Sequence, residues 1–243
     1  MGSVNTNADM INHGKNFKSL ILDERTRFKE IKDSDETAPT VASLWKVARQ
    51  KYRLEDIRII TPTKKNGKSC ANALNDVIRN IENPESSSNK IPGCRFRVGD
   101  RIMQTKNNYS ISQYIDGKLQ DGCVFNGECG TIVKYDQEND LAFIEMDTGE
   151  HLVYERSDMQ SIDLSYATTV HKAQGSEYKC VIFVCMTEHF TMLKRNLIYT
   201  AVTRCKDLLL MTGMQKAYNI AIRDTQYKEI HCALTERIEE AAS

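Results

Sequence analysis

Two uninterrupted apolar runs constrain the fold of this 243-residue chain more than any other feature. Val181–Cys185 reads Val-Ile-Phe-Val-Cys, and Leu208–Met211 reads Leu-Leu-Leu-Met. A strand with one face in water alternates polar and apolar residues, whereas a strand of a parallel sheet is covered by helices on both faces and reads as a continuous apolar run. The two runs therefore predict buried strands of an α/β domain.

Other segments supply the remaining parts of such a sheet. The β-branched run Ile57–Thr61 is followed by a polar turn and by a helical pattern over Ala71–Ile81. Strand, turn and helix are the repeating unit of an α/β sheet. Further helical patterns cover Pro39–Tyr52, Leu193–Lys206 and Gln215–Ala242, and a short strand is expected at Ser19–Asp23.

The middle of the chain has a different pattern. Asn83–Gly93 is rich in Pro, Ser and Asn, which is typical of a linker. Beyond it, short alternating segments between turns predict a small β-barrel of four or five strands. These segments are Phe96–Val98, Arg101–Met103, Gly130–Val133, Leu141–Met146 and His151–Tyr154. Residues 110–122 indicate either an extended hairpin or a loose loop. We therefore expect 94–160 to be a barrel inserted between two parts, 1–93 and 161–243, of one α/β domain.

The distribution of charge excludes nucleic-acid binding by net charge alone. The chain has 33 basic and 33 acidic side chains, and residues 94–160 contain seven basic and twelve acidic ones. The flanking parts, 1–93 and 161–243, have net charges of +4 and +1. No segment has the strong positive field that holds nucleic acid without specific geometry. Any DNA contact is therefore expected to be local.

The chain also has features expected of a cytoplasmic protein without a membrane partner. Its longest apolar run, Val181–Met186, is far shorter than the roughly 20 residues of a membrane span. Met1–Lys15 has no apolar core of the signal-peptide type. Eight cysteines are scattered without a Cys-x-x-Cys pair, which favours free thiols in a reducing compartment.

A Gly-Lys-Ser sequence, 67–69, stands between a predicted strand and a predicted helix, where a phosphate-binding loop is found. The full pattern requires a glycine five residues before Gly67, and the chain has Pro62 there. Proline has no backbone N–H and cannot adopt positive φ. The sequence therefore predicts no working P-loop. Two interpretations remain: a basic turn, or a secondary phosphate contact by Lys64 or Lys65.

Two longer strings are more specific. Residues 164–178 read Leu-Ser-Tyr-Ala-Thr-Thr-Val-His-Lys-Ala-Gln-Gly-Ser-Glu-Tyr, and residues 195–206 read Arg-Asn-Leu-Ile-Tyr-Thr-Ala-Val-Thr-Arg-Cys-Lys. In this order, with a strand between them, they resemble motifs V and VI of superfamily 1 helicases, and specifically the RecD-like branch (the exodeoxyribonuclease V alpha type). The similarity extends over nearly the whole chain: 7–15 resembles the segment after the first motor domain, 61–84 the motif IV region, and 96–109 and 124–131 the inserted SH3-like barrel.

The resemblance implies a fold and a function. The fold is the second RecA-like motor domain, with a P-loop NTPase-type parallel sheet and an inserted SH3-like barrel. The function is that of an ATP-dependent 5′→3′ DNA helicase, which acts on single-stranded DNA and uses ATP and Mg²⁺. This family carries its Walker A lysine and Walker B acids on a first RecA-like domain, which this sequence lacks. We therefore expect that domain of the same polypeptide as a partner, and no tightly bound cofactor on this chain by itself. The alternative is a non-catalytic half-motor that binds DNA or protein; a Walker A sequence upstream would decide between them.

The resemblance also assigns residues to the ATP site. Arg204 is implied as an arginine finger, because its planar fork of donors suits a transferring γ-phosphate. Gly175 lets the backbone approach a nucleotide, and Glu177 can accept hydrogen bonds from ribose hydroxyls. Lys64 and Lys65 stand where motif IV often has an arginine. The structural alternative for Arg204 is an arginine that binds the carbonyl groups at the end of a helix.

The remaining candidates belong to a DNA interface. Thr168, Thr169, His171 and Lys172 offer hydroxyl, imidazole and ammonium donors, a set suited to the backbone of single-stranded DNA. For His171 the alternative is a solvated or helix-capping histidine. Two aromatic residues, Trp45 and Tyr199, are interpreted as packing residues.

Overall fold

The computed structural model describes residues 2–115 and 117–224. The helices are α1 (Ser3–Asn12), α2 (Thr37–Arg49), α3 (Ala71–Glu82), α4 (Arg195–Val202) and α5 (Gln215–Arg223). The strands are β1 (Thr26–Glu30), β2 (Ile57–Thr61), β3 (Arg101–Gln104), β4 (Asn108–Ile115), β5 (Lys118–Val124), β6 (Cys129–Asp136), β7 (Leu141–Met146), β8 (His151–Tyr154), β9 (Ile162–Leu164), β10 (Ala167–Thr169), β11 (Tyr178–Cys185) and β12 (Cys205–Gly213).

A five-stranded parallel sheet forms the α/β part, with the strand order β1-β12-β11-β2-β10. Side chains of β11 alternate between two apolar cores. Val181 and Phe183 pack with α1, α4 and α5 on one face. Cys180 and Ile182 pack with α2 and α3 on the other. Both faces are therefore covered, which confirms the α/β fold with a parallel sheet. The expected helices at 39–52 and 71–81 and the strand at 57–61 are also confirmed. Of the helical pattern at 193–206, α4 covers Arg195–Val202, and residues 205 and 206 begin β12.

A second sheet, inserted between α3 and β10, is antiparallel and has the order β5-β4-β8-β7-β6-β3-β9. Val124 of one edge strand and Ile162 of the other belong to the same apolar core. The sheet must therefore curve around that core, as a small barrel does. Strands β4 and β5 pair antiparallel as a β-hairpin, so the hairpin interpretation of residues 110–122 is confirmed.

The strand expected at Ser19–Asp23 is wrong; the strand of this region is β1, Thr26–Glu30. The Asn7 side chain of α1 accepts a hydrogen bond from the amide of Ile21 and donates one to its carbonyl, at 2.7 Å each. A side chain thus satisfies the backbone groups that a neighbouring strand would have bound. The segment is apolar because Leu20 is buried against the core.

The strand expected at Phe96–Val98 is also wrong. Arg97 forms only an isolated bridge with Lys90. The Asp100 carboxylate accepts a hydrogen bond from the amide of Arg97 (2.8 Å), and the Asp100 amide donates back to the Arg97 carbonyl (3.0 Å). These two bonds close a turn before β3, because a local carboxylate competes with strand pairing.

The boundary expected after residue 160 differs from the structure. Strand β9 pairs with β3, and Leu164 lies opposite Ile102. The antiparallel sheet therefore includes residues 162–164, which the sequence assigns to the motor part. The reason is that Ile162 fills the core of the barrel before the chain returns to the parallel sheet.

The remaining expectations have mixed outcomes. Of the helical pattern Gln215–Ala242, helix α5 covers the first nine residues, and 225–242 lies outside the described residues. Trp45 is a packing residue, fully buried with its indole N–H bound to Glu82 (2.6 Å). The interpretation of Tyr199 as a packing residue is wrong, because its side chain is 37% exposed on α4. Among the described residues, no helix combines the length and the apolar character that crossing a membrane requires.

Candidate functional site

The fold brings the two motif strings side by side. The first string forms β10, a turn and the start of β11; the second forms α4 and the start of β12. Strands β11 and β12 are parallel neighbours, so their first residues lie at the same edge of the sheet. The amide of Tyr178 donates to the carbonyl of Arg204 (2.8 Å), which joins the two strings directly.

Arg204 follows the end of α4 and is half-buried. Its Nε donates to the Thr200 carbonyl, its Nη1 to the Ser176 carbonyl and its Nη2 to the Thr203 hydroxyl, each at 3.2 Å. The guanidinium therefore binds the last carbonyls of α4 and also contacts the turn of the first string. All three acceptors are uncharged, so a phosphate oxygen would form stronger, charge-assisted hydrogen bonds with the same donors.

Gly175 and Glu177 lie in the same turn. Gly175 has a φ of +84°, which favours glycine, and none of the described atoms lies within 4 Å of the position that a Cβ would take. The Glu177 carboxylate pairs with Lys206 at 2.7 Å, and both side chains are exposed. The hydrogen bond from Lys206 lowers the pKa of Glu177 from its ordinary value. The turn thus presents an open backbone position beside an ionised carboxylate.

Lys64 and Lys65 are not part of this cluster. They follow the carboxyl end of β2, whereas Gly175 and Glu177 precede the amino end of β11. Strands β2 and β11 are parallel neighbours, so the two pairs of residues lie beyond opposite ends of adjacent strands. The ATP-site residues implied by the resemblance are therefore separated by the fold. Lys64 instead lies with the candidates for DNA binding.

Those candidates fall on two surfaces. A narrow cleft of about 20 Å³ lies between the motor part and the barrel, and its lining includes Lys64, Asn72, Asp163, Thr168, Thr169 and Lys172. Thr168 is only 4% exposed, so its side chain is a wall of the cleft and not a free donor. Thr169 is half-buried, and its hydroxyl accepts a hydrogen bond from the amide of Lys172 (3.4 Å).

His171 faces a second pocket, of about 250 Å³, on the other side of the turn. Its lining includes Gln174 from the first string and Asn196 and Thr200 from α4. His171 is exposed and lies next to donors and acceptors of the second string. His171 therefore lines a different cavity from Thr169 and Lys172, although His171 and Lys172 both lie within three residues of Thr169, the last residue of β10.

The cleft also contains a carboxylate that the sequence does not indicate, that of Asp163. It accepts hydrogen bonds from Lys64 (2.6 Å) and Arg95 (2.8 Å), and the Lys172 ammonium lies 4.0 Å from it. Burial raises the pKa of Asp163, but the bonds from Lys64 and Arg95 outweigh burial, so the pKa is lowered overall. No sequence signal marks this contact, because Lys64 and Asp163 are 99 residues apart in the chain.

Arg58, the second residue of β2, is a further charged group outside the predicted sites and is only 2% exposed. Its guanidinium lies 4.9 Å from the ring centroid of Tyr178, and Nη2 donates to the sulfur of Cys129 in the barrel (3.5 Å). Within the described ranges, Nε and Nη1 have no hydrogen-bond partner. One signal was available: an arginine interrupts the β-branched run of β2.

The turn that contains Gly67 is already occupied by a carboxylate. Glu188 accepts hydrogen bonds from the Ser69 amide (3.2 Å) and the Ser69 hydroxyl, and a Cβ on Gly67 would lie 2.7 Å from Glu188 Oε1. Ser69 Oγ also contacts Nε2 of the buried His189 (2.9 Å). A protein carboxylate thus takes two donors of this turn, the amide and the hydroxyl of Ser69.

Comparisons with known families agree with this arrangement. Residues 164–212 match the family model of the UvrD-like helicase C-terminal domain, which spans both motif strings. Residues 74–146 match the family model of the ATP-dependent RecD-like DNA helicase SH3 domain. A crystal structure of Bacteroides Pif1 bound to single-stranded DNA has a similar fold, with a TM-score of 0.50 and 16% identity over 100% of this chain and 55% of that one.

Together the parallel sheet, the joined strings and the first of these matches define a C-terminal motor domain of a superfamily 1 helicase. Sequence relatives identify the branch. An ATP-dependent RecD2 DNA helicase of Deinococcus radiodurans is 33% identical over 182 residues, or 75% of this chain, and a RecBCD enzyme subunit RecD of Buchnera aphidicola is 30% identical over 60% of it. The chain belongs to the RecD-like helicases and corresponds to their C-terminal part. It spans only 23% of the length of each of these two relatives.

Proposed function

We propose that the chain acts as the second motor domain of an ATP-dependent 5′→3′ DNA helicase. It would supply Arg204 to an ATP site completed by a first motor domain, and backbone contacts to single-stranded DNA. The observation that carries the proposal is the junction of the two strings, where Arg204 bonds to Thr200 of one string and Ser176 of the other. The Deinococcus relative is an ATP-dependent RecD2 DNA helicase, which supports the proposal.

Three residues fit a nucleotide at this junction. The open position over Gly175 admits a ligand close to the backbone, and the exposed Glu177 carboxylate suits ribose hydroxyls. When bound, ATP supplies the γ-phosphoryl group that is transferred to water. Arg204 would donate its fork of hydrogen bonds to that group as charge develops, while Mg²⁺ would be held by the Walker residues of the other motor domain.

Two contacts fit the backbone of a single strand. Thr169 and Lys172 stand at the mouth of the cleft, and Lys64 joins them from the loop after β2. His171, together with Asn196 and Thr200, would provide a separate contact near α4. The Pif1 structure that shares this fold is described as bound to single-stranded DNA, which supports an interface of this kind.

The DNA contact can be tested on the chain itself. Anisotropy of a fluorescent 15-nucleotide oligothymidylate should show weak binding that falls steeply with salt, because few phosphates are neutralised by local cations. Lys172→Ala should weaken binding several-fold at low salt. Lys51→Ala is the matched control, since Lys51 is an exposed lysine in one ion pair with Asp207, remote from the cleft. Equal loss in both variants would contradict the assignment of Lys172.

The ATP contact requires the complete protein with its first motor domain. There, Arg204→Ala should reduce ATP turnover by about 10³–10⁵, with ATP binding retained. Arg204→Lys should remain severely impaired, because an ammonium does not reproduce the planar fork. If Arg204 only binds the end of α4, the variant should instead lose about 1 kcal/mol of stability and keep its turnover. A complete protein that binds DNA without any ATP turnover would favour the half-motor alternative.

A further inference from the structure

Four charged side chains meet where the barrel joins the motor part. Asp163 lies on β9, at the exit of the barrel, and Arg95 lies at its entrance. Lys64 and Lys172 come from two loops of the parallel sheet. The carboxylate lies 2.6 Å from Lys64, 2.8 Å from Arg95 and 4.0 Å from Lys172. One anion thus binds cations from three separate segments, and the cluster has an excess of positive charge.

Three members of the cluster, Lys64, Asp163 and Lys172, line the cleft. The cleft has about 20 Å³ of free volume, which is room for about one water molecule. The cations are nevertheless reachable from solvent, because the side chains of Lys64, Arg95 and Lys172 are 43%, 62% and 34% exposed. Asp163, at 23%, lies deeper than all three. The charged heads therefore face solvent on one side and the carboxylate on the other.

We propose that Asp163 substitutes for a backbone phosphate of single-stranded DNA when no strand is bound. Carboxylate and phosphate oxygens accept the same charge-assisted hydrogen bonds from lysine and arginine. The phosphates of a bound DNA strand would take over the cations that Asp163 holds. Asp163 therefore competes with DNA and lowers the affinity of the protein for it. Arg95, which no motif contains, thereby becomes part of the DNA interface. This inference rests on the proposed DNA contact at Lys172.

The DNA strand is therefore bound weakly enough to be released. The cluster connects the barrel to the motor part only while no DNA is bound. Asp163→Asn keeps the shape of the side chain and removes its charge. It should increase affinity for the oligothymidylate about fivefold at low salt, because a like charge close to the phosphate is removed. The slope of log K against log salt should become steeper by about 0.7 if one more phosphate is neutralised.

Asp207→Asn is the matched control. Asp207 also accepts bonds from two cations, Lys51 and Arg25, and its removal changes the net charge equally, but it is remote from the cleft. It should leave affinity unchanged. Arg95→Gln should weaken binding, and this variant tests the site even if Asp163→Asn folds poorly. Thermal unfolding of each variant checks the fold.

The outcomes separate the two proposals. Tighter binding by Asp163→Asn alone, with weaker binding by Arg95→Gln, supports the inference. Unchanged or weaker binding by Asp163→Asn, while Lys172→Ala still reduces binding, overturns the inference and leaves the proposed DNA contact intact. If neither the unaltered chain nor Asp163→Asn binds the oligonucleotide at low salt, both proposals are overturned.

Discussion

Replacing Arg58 by methionine should make the protein more stable. Arg58 is 2% exposed, and within the described part of the chain its Nε and Nη1 have no hydrogen-bond partner. Each unsatisfied buried donor costs about 1–3 kcal/mol. The stacking of the guanidinium on Tyr178 offsets about 2 kcal/mol of this, and the bond to Cys129 is weak. Methionine keeps much of the length and adds a sulfur–aromatic contact of about 0.3–1.5 kcal/mol.

Taken together, these contributions predict that Arg58→Met increases the free energy of unfolding by about 2 kcal/mol. For a chain of this size, that gain raises the thermal midpoint by about 4–8 °C. Circular dichroism at 222 nm during heating measures the midpoint, and urea unfolding gives the free energy independently. The direction follows from the general finding that an incompletely compensated buried charge can be replaced by an apolar side chain without loss.

Arg101→Met is the contrasting control. Arg101 is also buried, at 4% exposure, but it pairs through both Nη atoms with Asp147 at 2.6 Å and contacts Thr131 as well. Its removal leaves a carboxylate that is partly exposed, so we expect a loss of about 2–3 kcal/mol. A loss of more than 1 kcal/mol in Arg58→Met would refute the reasoning, because the ring and thiol contacts would then outweigh the two missing hydrogen bonds.

Three further predictions concern pH, catalysis and the turn. Burial lowers the pKa of His189 to about 4, below its ordinary 6.5. The unfolded chain therefore binds more protons than the folded one, and the free energy of unfolding should fall by about 2 kcal/mol between pH 7 and pH 5. His189→Gln should flatten this pH dependence in thermal melts, and an unchanged slope would contradict the prediction. The purified chain should show no ATP turnover with Mg²⁺ and single-stranded DNA in a phosphate-release assay, and turnover abolished by Lys68→Ala would instead establish a P-loop at 67–69. Gly175→Ala should lower the free energy of unfolding by about 1 kcal/mol, since φ is +84° there, while an unaltered urea midpoint would show that the turn relaxes.

The expectations that hold are those that depend on local pattern. A continuous apolar run reports burial on both faces, so β11 and β12 could be assigned before their neighbours were known. The helical spacing over Ala71–Ile81 likewise predicts α3 almost to its last residue. Where a side chain competes for backbone hydrogen bonds, the pattern fails. Asn7 takes the bonds of Ile21, and Asp100 those of Arg97, so neither segment forms the strand that its apolar residues indicate.

The sequence by itself determined the parallel sheet, the inserted barrel and the two motif strings, because periodicity and short motifs are properties of neighbouring residues. Only the tertiary structure decided which of the site residues meet. It separates Lys64 from Gly175 and places Lys64 with Asp163 and Arg95. It also packs Arg58 against Tyr178 of the parallel sheet and Cys129 of the barrel. These contacts join residues far apart in the chain. They depend on strand order and on the path of the barrel, which local pattern does not encode.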